Sequence, residues 1–283
     1  MRLAVLSDIH GNIPALDKAL EEIDRIGVDG FIVAGDMAAG PQPEQVIERL
    51  RDLNCRMIRG NNEEYLIKLA AEDAPGWWHT ARQFAFIRWN FRQLRAETIA
   101  FLKSLPEQIV ITMPGLEPIR VVHGSPRSIS ELVYPEKDIT LLDIALDMVP
   151  ENVLVFGHTH EPWQMVRNGK LALNPGSVSG TLNGKLGGSY AILTSGEGQW
   201  SVDLHDLHYD ISLARKAFIE TGLLEAGGKI SECWLHDLET GVNTLPRFVE
   251  YAYRLSAEAG YADLPYVPDD IWETATKTFS YRI

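Results

Sequence analysis

The sequence predicts an α/β protein: a parallel sheet with helices on its faces, a second sheet, and a mainly helical C-terminal extension. Three observations carry this. Three strand–loop–helix units follow one another before residue 72, each strand is followed at once by a polar cluster, and β-like segments replace the helical periodicity after residue 107. Successive βα units imply parallel strands with crossover helices.

In the first unit the apolar run Leu3 to Leu6 leads into a loop ending at Gly11-Asn12. The following segment, Ile13 to Ile26, repeats apolar residues at helical spacing through Ala15, Leu16, Ala19, Leu20 and Ile23. The second unit is Phe31 to Val33, the loop around Asp36, and a helix over Pro43 to Leu53. The third is Arg56 to Ile58, the loop Gly60-Asn61-Asn62, and a helix over Glu63 to Ala71. Residues 73–105 are helical and aromatic, with Trp77, Trp78, Phe84, Phe86, Trp89 and Phe91, and are expected to flank the pocket.

Seven strand-like runs come next: Gln108 to Thr112, Ile119 to Val122, Val153 to Phe156, Trp163 to Val166, Leu171 to Leu173, Tyr190 to Leu193 and Trp200 to Leu204. One helix near Leu141 to Met148 interrupts them, and the count predicts a second sheet. The main domain is expected over residues 1–210, and residues 211–283 form the C-terminal helical extension.

Composition narrows the class. With 45% hydrophobic and 23% charged residues the chain has ample apolar mass for a core. A formal charge of -13 argues against a surface for polymeric nucleic acid, which needs clustered Lys and Arg, but leaves a small phosphorylated substrate open. The two cysteines, Cys55 and Cys233, lack CxxC spacing and suggest neither a disulfide framework nor a thiolate zinc site. No apolar stretch approaches a membrane span, so a cytoplasmic protein is expected, with homo-oligomerisation left open.

Five strand-terminal loops supply oxygen and nitrogen ligands: Asp8-Ile9-His10, Gly35-Asp36, Gly60-Asn61-Asn62-Glu63, His123-Gly124 and Gly157-His158-Thr159-His160. Open α/β sheets place ligands beyond the carboxyl ends of their strands. In extended backbone, residues two apart point the same way, so Asp8/His10 and His158/His160 can each grip one ion or two neighbouring ions. A lone His or Asp after a strand is usually a satisfied loop residue. Here Asp8, His10, Asp36, Asn61, His123, His158 and His160 all fall in such loops, and the mixed donor set suits Mn, Fe, Zn, Co or Ni.

These loops resemble those of calcineurin-like metallophosphoesterases, whose signature runs DxH, GD, GNH, a lone His and GHxH. The segments Ser7-Asp8-Ile9-His10-Gly11-Asn12, Val122-His123-Gly124-Ser125-Pro126 and Asn174-Pro175-Gly176-Ser177-Val178 resemble its small bacterial and archaeal phosphodiesterases, a branch often called diadenosine-tetraphosphatase-like. The resemblance covers about residues 1–210 and implies a four-layer αββα sandwich. It implies one ion held by Asp8, His10, Asp36 and His160, and a second by Asp36, Asn61, His123 and His158, with a bridging hydroxide attacking phosphorus. Asp36 and His123 are thereby placed at the reacting centre.

One position departs from the pattern. The family's GNH histidine protonates the leaving oxygen, and here Asn62 stands in its place; an amide delivers no such proton. General acid catalysis commonly contributes 10²–10⁴-fold, so activated diesters or phosphoanhydrides are the expected substrates, with Asn62 contacting the phosphoryl group. The alternative is a weakly catalytic metal-binding scaffold or regulatory protein. Arg59 and Arg127 flank the motif loops as candidate phosphate contacts, each equally suited to a surface ion pair. His79 is a candidate replacement acid, though a packed or surface histidine is the commoner case, and Ser177 and Asn12 suit structural use as well as substrate contact.

Overall fold

The computed structural model describes residues 1–53, 55–71 and 74–281; Asp73 and Ile283, the outer ends of the predicted excursion and extension, lie outside the described residues. Ten strands and twelve α-helices are assigned among them. The first βα units are β1 (Arg2–Leu6), α1 (Ile13–Ile26), β2 (Gly30–Val33), α2 (Pro43–Asp52), β3 (Arg56–Met57) and α3 (Asn61–Ala70). Helix α1 begins where Asn12 accepts a hydrogen bond from the Ala15 amide, and it buries Ala15, Leu16, Ala19 and Ile23. The aromatic excursion forms α4 (Gly76–Thr80), a 3-10 turn over Arg82–Phe84, α5 (Ala85–Gln93) and α6 (Ala96–Ser104).

The second half begins with β4 (Gln108–Ile111), β5 (Ile119–Val122), α7 (Ile139–Asp147), β6 (Val153–Val155), β7 (Trp163–Arg167) and β8 (Lys170–Asn174). It continues with the hairpin β9 (Gly188–Gly196) and β10 (Gln199–Leu207). Five further helices close the chain: α8 (Ile211–Glu220), α9 (Leu223–Ala226), α10 (Lys229–Thr240), α11 (Leu245–Glu258) and α12 (Asp269–Thr278).

Two sheets of five strands result, ordered β10-β9-β1-β2-β3 and β4-β5-β6-β8-β7. The parallel set β1-β2-β3 reads as expected, with Leu3 opposite Gly30 and Leu6 opposite Val33. The later strands divide differently from the expectation of one further sheet. The first five build it, whereas β9 returns to run antiparallel to β1, pairing Leu3 with Leu193 and Val5 with Ala191, and β10 follows as the edge. Local periodicity identifies a strand and says nothing about its neighbour, so the return was not readable in the sequence.

Alternation of side chains makes four layers. Leu3, Val5, Ile32, Ala191 and Leu193 of the first sheet meet Ile119, Val121, Val153, Val155 and Leu173 of the second in one buried cluster. The opposite face of the first sheet, through Ala4, Leu6 and Val33, packs on the helices, and that of the second, through Leu154, Phe156 and Ala172, packs on Leu142, Ala145 and Leu146 of α7. The order is therefore helix, sheet, sheet, helix. Phe218 of α8 and Trp234, Leu235 and Leu238 of α10 belong to the same outer core as α1, while Phe248, Ala252 and Trp272 of α11 and α12 form a smaller cluster beside it.

Candidate metal centre

The ends of β1, β2, β3, β5 and β6 release their loops at one rim, and backbone hydrogen bonds tie these loops together. Amides of Asp8, His10 and Gly11 donate to the carbonyls of Gly35, Asp36 and Met37, and the Gly157 amide donates to the His123 carbonyl. The Asn174–Val178 turn braces the assembly. Ser177 Oγ donates to the Asp8 carbonyl at 2.7 Å, and Asn174 Nδ2 donates to the Gly157 carbonyl at 2.7 Å. Ser177 and Asn12 are both buried and serve structure; the Asn12 amide donates to Ser179 Oγ and Tyr209 Oη.

All seven residues singled out in the sequence reach this rim. Asp8, His10 and His160 form one group of candidate donors and Asp36, His123 and His158 another; within each, the donor atoms lie within 4.8 Å of one another. Asp36 joins the groups, with its Oδ2 3.8 Å from His10 Nε2 and 3.5 Å from His123 Nε2. Asn61 Oδ1 lies 3.1 Å from His123 Nε2, which adds the amide oxygen to the second group.

The residues present fit a pair of divalent ions. Asp8 Oδ2 is satisfied by Ser7 Oγ and by the His158 amide, yet its Oδ1 is buried without a hydrogen-bond partner and faces His160 Nε2 at 3.3 Å. A buried carboxylate oxygen left unpaired is costly unless a cation completes it. His10 Nε2 and His160 Nε2 lie 3.1 Å apart, converging on the same space, while His123 Nδ1 donates to the Ala34 carbonyl and so presents Nε2 inward. Carboxylate, imidazole and amide donors together suit intermediate first-row ions.

Electrostatics follow from packing these groups dry. Burial opposes ionisation of Asp8, but His160 and His10 hold its carboxyl well below the usual value; Asp36 is lowered likewise by His123 and His10 against burial. Burial also disfavours charging of His123, but the Asp36 carboxylate outweighs it and pushes the imidazole up to about 10. His158 moves the other way, to about 4, because burial and then the charge on His123 disfavour its protonation. At neutral pH, His158 therefore presents a free lone pair.

Glu63 is a supporting residue whose role the sequence reading missed. Its buried carboxylate accepts from the amides of Asp36 (2.9 Å), Ala38 (2.9 Å) and Gly60 (2.7 Å), fastening the Asp36 loop to the start of α3. Burial and the charge of Asp36 push its carboxyl up to about 7 despite those three bonds. The signal was present: a glutamate three residues after the N-cap of a helix reaches back to the cap amide.

The other candidates stand as follows. Asn62 spends both its backbone amide and its side-chain amide on the Asp36 carboxylate. Arg59 is consumed by Glu64, Glu107 and the Leu105 carbonyl, and Arg127 by Glu131, so both guanidinium groups serve ion pairs and neither is offered to a phosphate. His79 is exposed on α4 and does not line the cavity beside the donors. Trp78 is buried and stacks on Phe84, and Trp77 stacks on Tyr266.

A cavity of about 360 Å³ opens beside the two groups, with His10, Asn61 and Asn62 at one end. Its walls come from the excursion, through Phe84 and Phe86, and from the extension, through Trp234, Val249, Tyr253 and Trp272. The two segments clasp each other: the Arg82 amide donates to Asp269 and the Val267 amide to Gln83 Oε1.

Comparison with known proteins agrees with this architecture. The calcineurin-like phosphoesterase superfamily domain matches residues 1–198, and the chain belongs to that superfamily. The uncharacterised protein MJ0912 of Methanocaldococcus jannaschii is 28% identical over 242 residues, 79% of this chain and 94% of its own. Escherichia coli YfcE, named a phosphodiesterase, is 28% identical over 193 residues, 63% of this chain and 80% of its own. The crystal structure of a metallophosphoesterase from Sphaerobacter thermophilus superposes with a TM-score of 0.69 at 27% identity, covering 86% of this chain and 99% of that one. Among the described residues no helix is long and apolar enough to cross a membrane.

Proposed function

We propose that this chain is a dimetal-dependent phosphodiesterase acting on small phosphodiesters or phosphoanhydrides. The observation that carries the reading is the pair of donor groups meeting at Asp36, with Asp8 Oδ1 buried and unpaired within the first of them. Asp8, His10 and His160 would hold one ion and Asn61, His123 and His158 the other, with Asp36 available to both. Bound there, two divalent ions supply an activated water and neutralise charge on the phosphoryl oxygens.

The chain's own residues set the limits of the reaction. Neutral His158 could coordinate an ion without first losing a proton, whereas His123 would have to give one up. Glu63 keeps the Asp36 carboxylate aimed inward, and Asn62 steadies it. An amide protonates nothing, and that of Asn62 is already directed at Asp36, so the leaving group departs as an anion and must be a stable one. The relative named a phosphodiesterase supports the diester preference.

The test is hydrolysis of bis-p-nitrophenyl phosphate by metal-stripped protein resupplied with Mn, Ni, Co, Zn or Fe. Turnover is expected with at least one ion and is lost in Asp36→Ala and His158→Ala. No turnover with any of the five overturns the reading.

A further inference from the structure

The cavity beside the donor groups has walls unsuited to a chain of phosphates. No lysine, arginine or carboxylate stands among the described residues that line it. We propose that it receives an uncharged aryl or alkyl group, so that the substrate is a phosphoester carrying one compact apolar substituent rather than a polyphosphate. The proposal rests on the phosphoesterase reading above and names its substrate class.

Position comes first. The cavity is continuous with the reacting centre because His10, Asn61 and Asn62 form its polar end, and Trp234 bridges the two regions. The indole meets the His10 ring edge-on at 4.6 Å between centroids and the His160 ring at 5.6 Å. A group attached to a phosphorus between the donor groups therefore passes beside Trp234 into the space between Phe84, Val249 and Trp272.

Chemistry comes second. A nucleobase is recognised by several hydrogen bonds to its edge, and Gln83 and Tyr253 of the wall are already engaged with each other and with backbone groups. Gln83 Oε1 accepts from the Val267 amide at 2.7 Å, Gln83 Nε2 donates to Tyr253 Oη at 3.4 Å, and Tyr253 Oη donates to the Pro265 carbonyl at 3.1 Å. Trp234 Nε1, a buried donor without a partner, and the Tyr65 hydroxyl are what the wall leaves for a base edge, which needs several groups set in one plane. At about 360 Å³ the space lies at the small end of ligand cavities, which favours one ring system. Because the excursion and the extension both build it, the two segments would together set specificity for a reaction carried out by the sandwich.

The experiment measures binding by calorimetry of phenylphosphonate and methylphosphonate to the metal-loaded full chain, with no turnover required. The phenyl compound is expected to bind roughly 10- to 100-fold more tightly, the range that burial of one apolar group commands. Val249→Asp places a charge in the wall and is expected to bring the ratio close to one. Tyr253→Ala, at a residue 38% exposed and so tolerant of truncation, is expected to reduce the ratio about threefold while circular dichroism and melting confirm the fold. Equal affinities in the unaltered protein, failure of both ligands to bind, or a ratio that survives both substitutions would overturn the proposal. Loss of the phosphoesterase reading shows separately, as absent hydrolysis of bis-p-nitrophenyl phosphate.

Discussion

Gly60 occupies a position where a single methyl group separates an intact centre from a broken one. Its φ of -100° is open to any residue, so conformation is not the constraint. Space is: a Cβ there would lie 2.1 Å from Asp36 Oδ1 and 2.6 Å from the Asp36 backbone nitrogen. Both contacts need about 1 Å of relief, and the second belongs to backbone that is itself fastened to Glu63. Overpacking of this kind costs about 1–3 kcal/mol. Displacing the shared carboxylate should also weaken metal binding about 10–100-fold, as loss of a ligand's supporting contacts does. At roughly 2–4 °C per kcal/mol for a chain of this size, Gly60→Ala should melt about 2–12 °C lower, read by scanning calorimetry, with metal affinity read by titration. Gly76→Ala is the control, because nothing lies within 4 Å of a Cβ at that position, and it should leave both quantities unchanged. Wild-type melting together with two tightly bound equivalents of metal in Gly60→Ala would refute the steric argument.

Further outcomes follow from the same geometry. Glu63→Ala strands three buried amide donors and should cost about 3 kcal/mol or more, seen as a lower urea midpoint; an unchanged midpoint would mean that water replaces the carboxylate without penalty. Because His123 is raised from 6.5 to about 10 in the folded protein, its contribution to metal-free stability is complete below pH 6.5 and is lost as pH rises toward 10. Metal binding at pH 7.5 should accordingly release a proton, measured by calorimetry in buffers of different ionisation enthalpy, and buffer-independent heats would contradict this. Asn62→His restores a proton donor beside the phosphoryl group and should raise turnover of alkyl diesters more than of aryl diesters; equal changes on both would show that position 62 does not select the leaving group.

What the sequence made legible divides along a physical line. The βα repeat and the five ligand-bearing loops were readable because each is a local pattern: a strand's apolar run, then a polar turn, then helical spacing. Parallel strands send their loops to one rim, which gathers Asp8, His10, Asp36 and Asn61 at the edge of the first sheet and His123, His158 and His160 at the edge of the second; that the two sheets pack with these rims together is a long-range fact. The return of β9 beside β1 depends on which edge of which sheet is free, a long-range fact with no local trace. That residues 73–105 would flank the pocket was legible; that the C-terminal extension supplies the facing wall was not, for the same reason. The sequence marks residues 211–283 only as a helical extension, and Phe84 lies 150 residues before Trp234, so nothing in either segment announces that Trp234, Val249, Tyr253 and Trp272 share a wall with it.

The backbone at the centre carries an independent argument for its occupant. Nine non-glycine residues among those described have positive φ, and five of them are Asp8, His10, Asp36, His158 and His160, at +53°, +49°, +51°, +67° and +62°. Left-handed backbone costs a residue with a Cβ about 1 kcal/mol, so the five together hold about 5 kcal/mol, comparable to the net stability of many proteins. Strain of this size persists where surrounding structure over-determines it, and it clusters where a function uses it. The cross-loop bonds from Asp8 to Gly35 and from His10 to Asp36, and the bond from Ser177 to the Asp8 carbonyl, supply the first condition. Ions that bind the strained conformation and not the relaxed chain would supply the second. Ion at 1,000 times its dissociation constant adds about 4 kcal/mol per site, which at roughly 2–4 °C per kcal/mol is about 8–16 °C of melting temperature. Chelator-stripped protein should therefore melt at least that far below protein resupplied with metal, and the gap should vanish in Asp36→Ala. Coincident melting curves for stripped and resupplied protein would mean that the strain is carried by the sandwich alone.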